Sequence, residues 1–238
     1  VNMTHTAVAG SVRKVWRREE RERLSLPLYS LGEEIFSAVS HGAAALFGVA
    51  ALVVLLVACR KTPVTVASVS VFGATMILLY TVSTLYHALN VNRAKRVFRV
   101  LDHCTIYLLI AGTYTPITLC CLGGTAGLVL LCAVWGAGVL GIVLNAVSLE
   151  RFKAVSMVCY IAMGWAALIA IWPLSRALPM QGLCWLFGGG IVYTIGGVFY
   201  ALKIPRISWK YFGFHELFHI FILLGSACFY ILIWNFVL

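Results

Sequence analysis

Charged residues are scarce in this chain. Only 11% of its 238 residues are Asp, Glu, Lys or Arg, and 62% are hydrophobic, whereas a typical soluble domain carries about 25% charged residues. No segment between the apolar stretches is long enough to fold alone as a soluble unit. The low content of charged residues and the lack of a long soluble segment exclude a soluble globular protein. They predict an all-α, polytopic membrane protein with one domain.

Acidic residues are particularly few, at 8 against 18 Lys and Arg. The basic residues do not gather on a separate domain with interleaved aromatic residues, so no nucleic-acid partner is expected. Paired cysteines are also missing: the 8 cysteines lie in or beside apolar runs without a C-x-x-C pair, which favours free thiols over a disulfide framework. No apolar segment precedes Ser30, so we expect the first membrane helix, rather than a cleavable signal peptide, to direct insertion.

Seven long apolar runs are present instead. Each has roughly 20–26 residues, enough to cross a hydrocarbon core of about 30 Å. Residues 1–30 are predicted to be a basic cytoplasmic tail, which either lies on an anionic membrane surface with Trp16 at the interface or is solvated. Residues 31–238 are predicted to form a seven-helix transmembrane domain, with a kink at Pro116. The runs cover residues 35–59, 64–89, 101–122, 125–147, 154–173, 183–202 and 214–237.

Lys and Arg predict the orientation of these runs. Counted over the tail and the second, fourth and sixth loops, 15 of the 18 basic residues fall on one side of the membrane. The three on the other side are Arg60, Lys61 and Arg176. Because positive loops stay in the cytoplasm, the N-terminus is predicted to lie inside and the C-terminus outside, after an odd number of crossings.

The pentapeptide HELFH opens the last run. Its two histidines, His215 and His219, are four residues apart, so on a helix both rings leave the same face one turn apart. Two imidazoles in this arrangement suit a single metal ion, and zinc is the usual choice of neutral histidines.

Other polar groups fall at the same predicted depth, near the cytoplasmic edge. His87 lies one turn from the end of the second run with Ser83 one turn deeper, and Asp102 opens the third run beside His103. Three imidazoles and a water would form an open, catalytic-type zinc site. There Asp102 could take a proton and Ser83 could donate a hydrogen bond. The alternative is that these groups are satisfied packing residues, with His87 and Asp102 paired.

HELFH also matches the H-E-x-x-H pattern of zinc proteases, in which the glutamate is the general base. An intramembrane protease would need a distal third ligand, a role left to Asp102. We instead expect Glu216 to face loop water near the cytoplasmic edge. His41, two turns inside the first run, either lines the same cavity or is a packing residue.

Several of these stretches resemble the signature of the hemolysin III family, the bacterial branch of the progestin and adipoQ receptor (PAQR) superfamily. The similarity spans about residues 28–238. It rests on Glu33-Glu34, Ser40-His41-Gly42, Ser83-x-x-x-His87, Leu101-Asp102-His103, Gly112-Thr113-Tyr114-Thr115-Pro116 and His215-x-x-x-His219.

The resemblance implies a seven-helix bundle in the bacterial inner membrane, with an inside N-terminus, opposite to G-protein-coupled receptors. It implies zinc held by His87, His215 and His219, with Asp102 contacting the metal-bound water and Ser83 supporting the site. Members of the superfamily are associated with hydrolysis of lipid amides such as ceramide. The bacterial branch is named for haemolytic activity and is also linked to membrane homeostasis.

Three functions remain open at this point. The first is a zinc-dependent hydrolase of a membrane lipid amide or ester, in which Asp102 takes the proton and an acyl chain enters between helices. The second is a non-catalytic sensor or homeostasis protein in which zinc only ties helices together. A lytic pore is disfavoured because the outer halves of the runs show no continuous polar stripe.

Overall fold

The computed structural model describes residues 18–205 and 212–238, and these residues form helices without strands, which confirms the all-α prediction. The helices are α1 (Leu31–Ala58), α2 (Pro63–Ala88), α3 (Arg93–Pro116), α4 (Gly124–Gly164), α5 (Ile171–Ala177), α6 (Met180–Leu202) and α7 (Phe214–Phe236). Six helical stretches are long and apolar enough to cross a membrane, the fourth being the 54 residues Gly124–Ala177.

Polar side chains define where the first three helices begin. Ser30 Oγ accepts a hydrogen bond from Glu33 N, and the Glu33 carboxylate accepts one from Ser30 N, which is a capping box. Thr62 precedes Pro63, the first residue of α2, and Asn92 accepts from Lys95 N at the start of α3. These caps satisfy amide groups that the first turn of a helix leaves free.

The fourth stretch is a helical hairpin. Ser148 inside α4 has φ −163° and ψ 99°, an extended conformation that interrupts the helix. A continuous helix of 54 residues would span about 81 Å at 1.5 Å per residue, far more than a bilayer needs. Asn145 Nδ2 instead donates to Tyr160 Oη and Ser156 Oγ donates to Asn145 Oδ1, across the turn.

Contacts with α3 show that the two arms run in opposite directions. On the first arm, Trp135 Nε1 donates to Thr115 Oγ1, whereas Cys104 Sγ contacts Ile142 O. On the second arm, the Tyr160 hydroxyl donates to the carbonyl of His103 and the Tyr114 hydroxyl donates to the carbonyl of Gly164. Seven crossings therefore result from six stretches, and the predicted runs 125–147 and 154–173 fall on the two arms.

The predicted irregularity at Pro116 is a change of helix type. Pro116 ends α3, and the chain continues as a π-helical turn over Ile117–Leu122. Because proline has no N–H, it removes one hydrogen bond of the α-helical ladder. Thr118 Oγ1 donates to the carbonyl of Tyr114 at 2.9 Å, which satisfies a backbone group beside the break.

Close approach of α3 to its neighbours depends on glycine. A Cβ atom on Gly112 would lie 2.0 Å from Thr75 Oγ1 on α2, and one on Gly141 would lie 2.2 Å from the Tyr107 ring. Any larger residue would push these helices apart, as in other membrane helices that pack through small residues.

The helices form a ring around an internal cavity, in the chain order α1, α2, α3 and α4, with α6 and α7 closing the ring back to α1. Their outer faces carry large exposed apolar side chains, including Phe47 at 76% and Ile169 at 85% exposure. Such extensive apolar surface is tolerated when its surroundings are lipid.

The segment 18–30 covers the end of the ring where α1 and α7 begin. Leu24 and Leu26 are buried against Tyr86 of α2, and the Arg99 guanidinium donates to the carbonyl of Ser25. This part of the predicted tail is thus packed on the helices. The proposed interfacial position of Trp16 lies outside the described residues.

Candidate metal centre

Three histidines meet at the end of the ring covered by segment 18–30. His87 lies at the end of α2, and His215 and His219 lie in the first two turns of α7. One ligand atom of each ring lies within 4.8 Å of the others, and all three residues are buried. The nearest pair, His87 Nε2 and His215 Nε2, are 3.1 Å apart.

The His87 ring is held by a carboxylate on α1. Glu34 Oε2 accepts a hydrogen bond from His87 Nδ1 at 2.8 Å. Because an ionised carboxylate can only accept, the proton of neutral His87 lies on Nδ1, and Nε2 presents its lone pair to His215. A carboxylate that orients a histidine in this way is the usual partner of a metal ligand.

The way the three rings converge indicates whether a metal fits. A hydrogen bond between His215 and His87 would explain their 3.1 Å separation without an ion. It would not explain why the third ring converges on the same point, with one ligand atom of each ring within 4.8 Å of the others. Three neutral imidazoles facing one point are a donor set that fits zinc or a similar divalent metal.

Glu34 is also the centre of a buried ion cluster. Its Oε1 atom lies 2.9 Å from Arg21 Nη2 and 3.1 Å from Lys95 Nζ. Lys95 is 1% exposed and donates to three carbonyls at the end of α2, those of Tyr86, His87 and Leu89. A cation at a helix C-terminus satisfies the last carbonyls and the helix dipole. Lys95 therefore holds the helix end that carries His87.

Asp102 and Ser83, predicted to act beside the metal, line the same cavity as His215 and His219. The Ser83 hydroxyl is buried and has no hydrogen-bond partner among the described residues, although the Asp102 carboxylate is close enough to interact with it. His87 pairs with Glu34 rather than with Asp102, so the alternative in which His87 and Asp102 simply neutralise each other is wrong.

Two further rings extend the histidine cluster. His41 of α1 stacks on His219 with centroids 3.7 Å apart, and both of its ring nitrogens lack partners in the described part of the chain. Tyr29 stacks on His215 at 4.8 Å from the opposite direction. Burial raises the pKa of Tyr29 well above its usual range, so it packs as a neutral phenol. His41 thus both lines the cavity and packs against His219.

The sequence led us to expect that Glu216 faces loop water, and this expectation is wrong. Glu216 is fully buried, accepts from Ser37 Oγ at 3.0 Å and accepts from the amide of Gly213 at 2.8 Å. The carboxylate thus caps the start of α7 and links it to α1. Since both oxygens are engaged structurally, the site offers little support for a protease in which Glu216 is the base.

The cavity begins at the histidines and continues into the ring. It is lined by Asp102 at one end and Ile117 at the other, a distance of about 22 Å along a helix at 1.5 Å per residue. Most of its lining is apolar, and water-sized molecules could occupy ≈ 110 Å³ of it. The cavity is therefore a long, mostly apolar channel, which suits an acyl chain.

Comparison with known proteins shows the family of this chain. The chain matches the family described as haemolysin-III related over residues 29–230, a range that contains every residue of the histidine site. The chain belongs to the haemolysin-III-related family. It is 38% identical over 209 residues to Hemolysin-3 of Bacillus cereus, covering 87% of this chain and 92% of that protein. It is 39% identical over 203 residues to the Hemolysin-3 homolog of Bacillus subtilis (strain 168), covering 84% and 92%.

A more distant similarity reaches animal proteins. This haemolysin-III-related chain is 25% identical over 174 residues to the human Monocyte to macrophage differentiation factor, covering 70% of this chain and 68% of that protein. Both the family and its multi-pass membrane character, which the resemblance implied, are confirmed.

Two groups at the centre of this haemolysin-III-related site were missed from the sequence. Glu34 was assigned to the start of the first helix, and Lys95 was counted among the cytoplasmic loop charges. The available signal for Glu34 was its position directly before the first apolar run, where a charge requires a partner. No comparable signal marked Lys95, because it follows a loop and lies among other basic residues.

Proposed function

We propose that this chain is a zinc-dependent hydrolase that cleaves an amide or ester bond of a membrane lipid. The observation that carries the proposal is the convergence of three buried imidazoles at the head of a narrow apolar channel that also contains Asp102. A polar reaction centre joined to an acyl-chain channel suits a lipid with a carbonyl near its head group.

The chain's own residues have distinct roles in this proposal. His87, His215 and His219 hold the zinc, which supplies Lewis-acid polarisation of the carbonyl and lowers the pKa of water. Asp102 takes the proton from the attacking water and returns it to the leaving nitrogen or oxygen. The unpaired Ser83 hydroxyl donates to the substrate carbonyl or positions Asp102.

The channel has a side next to lipid between the second arm of α4 and α6. Residues of both elements line it, including Tyr160 and Gly164 on the arm and Gly190 and Gly197 on α6. Few residues of these two elements touch directly, in contrast to the close packing of α6 on α7. The acyl chain is expected to enter here from the membrane.

Substitution of Gly190 tests this route. Phenylalanine at Gly190 would fill the channel, and we expect Gly190→Phe to lose at least about tenfold in lipid turnover while zinc content stays unchanged. Gly190→Ala is the first control, because its Cβ would meet nothing closer than Trp165 at 3.9 Å. Gly188→Phe is the second, since Gly188 does not line the channel. Equal turnover in all three variants would contradict an acyl chain at Gly190.

We also propose that the chain lies in the bacterial inner membrane with its N-terminus inside. The basis is the distribution of Lys and Arg, 15 of 18 on the side of the tail. The histidine site would then open toward the cytoplasm.

A second function is favoured by the ion cluster at Glu34. Arg21, Lys95 and His87 tie segment 18–30, α3 and α2 to α1 through one carboxylate. A zinc ion added to this cluster would complete a structural cross-link in a non-catalytic membrane sensor or homeostasis protein.

Metal analysis and lipid products test the first function directly. Purified wild-type protein is expected to contain stoichiometric zinc and to release a fatty acid from an acyl amide or ester, as seen by mass spectrometry. His87→Ala should lose both, because one of three ligands is gone. Zinc content that is the same in His87→Ala and wild type would overturn the proposed site. Zinc without any lipid product would favour the structural role.

A further inference from the structure

A second hollow lies beside the histidine site, at the surface between segment 18–30, the turn of α4 and the end of α6. We call this hollow the vestibule. It has a volume of ≈ 570 Å³, and its wall includes Tyr29, Arg99, Lys153, Tyr200 and Lys203. Lys153 and Tyr200 also line the apolar channel, so the two spaces adjoin at these side chains.

Positive charge in the vestibule exceeds what its carboxylates neutralise. The wall carries three cations against two carboxylates, Glu33 and Glu150. Glu150 is paired with Arg99, and Glu33 accepts from the amide of Ser30. No carboxylate of the described residues lies within ion-pair distance of Lys153 or Lys203, and the ranges 1–17 and 206–211 contain no Asp or Glu. Two lysines thus remain without an acidic partner.

These cations are near enough to repel one another. Lys153 lies within electrostatic range of Arg99 and Lys203, and also of Glu150, whose carboxylate is paired with Arg99. Like charges gathered at a concave surface raise the local concentration of anions, and a bound anion would relieve the repulsion. Lys153 also lies over the Tyr200 ring, 5.6 Å from its centroid, which keeps its ammonium group at the junction of the two spaces.

The position of the vestibule relative to the channel identifies the anion as part of a lipid. An acyl chain in the channel would place its carbonyl near the histidines at the channel head. The half of the molecule beyond that carbonyl would then extend past Lys153 and Tyr200 into the vestibule. The group that reaches the vestibule would therefore be the leaving half of the substrate.

We propose that the vestibule binds an anionic head group, a phosphate or a carboxylate, on a single-chain acyl lipid whose tail fills the channel. This inference rests on the proposed function and narrows its substrate to acyl amides or esters with an acidic leaving half. Neutral lipid amides are expected to be poorer substrates.

Binding of lipids that cannot be hydrolysed tests the head group alone. In phosphatidylcholine nanodiscs, hexadecyl phosphate is expected to bind about tenfold more tightly than hexadecanol. This factor corresponds to two partly exposed ion pairs, one from the phosphate to Lys153 and one to Lys203. The double variant Lys153→Gln/Lys203→Gln should lose this preference and keep its affinity for hexadecanol. Arg60→Gln, at the opposite end of the bundle, is the matched control. Equal affinities for the two probes in the wild type would overturn the proposal.

Two measurements on the wild-type protein remain informative if the double variant fails to fold. The preference for hexadecyl phosphate should shrink as salt rises from low to high concentration, because exposed charges are screened. A preference for hexadecyl phosphate that is the same at low and high salt would contradict a role for the lysines. Inorganic phosphate should compete only weakly, and competition as strong as that of the lipid would assign the vestibule to a free anion.

Turnover separates this inference from the proposed function. N-palmitoylglycine is expected to be cleaved faster than neutral N-palmitoylethanolamine. Equal cleavage of both would reject the anionic head group while supporting the hydrolase. Cleavage of neither, together with preferential binding of hexadecyl phosphate, would reject the hydrolase while supporting the vestibule as an anion site.

Discussion

Glu34→Ala is expected to cost this chain both its folding stability and its capacity to hold a metal. Removal of the carboxylate leaves the Arg21 and Lys95 cations buried, with side chains 13% and 1% exposed, and without the acid that neutralises them. Breaking a buried ion pair in this way typically costs about 3–5 kcal/mol. The His87 ring would also lose the acceptor on Nδ1 that orients Nε2. Loss of such a partner lowers metal affinity about 10- to 100-fold.

The measurements are thermal unfolding of the metal-free protein and zinc affinity in a competition assay. Glu34→Gln keeps an acceptor oxygen for His87 but not the charge, so its stability should fall while part of its zinc affinity remains. Glu22→Gln is the matched control, because Glu22 forms only an exposed pair with Arg18. If Glu34→Ala unfolds and binds zinc like Glu22→Gln, the ion cluster does not support the site.

Asp102→Ala is expected to lower lipid turnover by about 10²–10⁴-fold, the usual contribution of a general acid–base group. Zinc content and thermal stability should remain close to wild type. Asp102 is not among the three residues that converge as metal ligands, and its carboxylate makes no ion pair with the described residues. Product release measured by mass spectrometry and zinc measured by elemental analysis give the two readouts.

The same substitution decides between the two functions. If zinc only links helices, Asp102→Ala should retain the phenotype of the wild type in cells. Asp102→Asn keeps the shape of the side chain but cannot take the proton, so a hydrolase should lose nearly as much turnover as with alanine. Ser83→Ala should cause a smaller loss, because Ser83 supplies a hydrogen bond rather than the proton acceptor.

Depth along the membrane could be predicted from the sequence. Each run has a definite length, and alternating cytoplasmic and exterior ends bring His87, Asp102 and His215 to one level. Helical periodicity then placed His215 and His219 on a single face. These relations are local or follow from topology, which is why the histidine cluster could be anticipated before any coordinates.

Rotation of each helix about its axis could not be predicted in the same way. Glu34 points inward to His87, and Glu216 is buried against Ser37, although both lie near helix starts where exposure was the simpler expectation. The inward faces depend on how α1, α2 and α7 pack together. Nearly all-apolar helices carry little amphipathic signal to fix that packing.

The turn at Ser148 shows another limit. The break between the fourth and fifth runs was placed by charge, in the range 148–153, and the structure has the extended residue at Ser148 followed at once by helix. Only one residue departs from helical geometry, and no proline or glycine stands in the range 148–153 to mark the break. The hydrogen bonds that secure the turn, from Ser156 to Asn145 and from Asn145 to Tyr160, are tertiary in origin.

The Arg21–Glu34 contact has a practical consequence for where this membrane protein can be shortened. A chain trimmed to the start of its first crossing would lose the guanidinium that shares the Glu34 carboxylate, the two leucines packed on Tyr86 and the phenol stacked on His215. The histidine site would then open to water on the side that segment 18–30 covers. Residues ahead of the first crossing thus belong to the folded site, and a shortened chain should begin no later than Arg18.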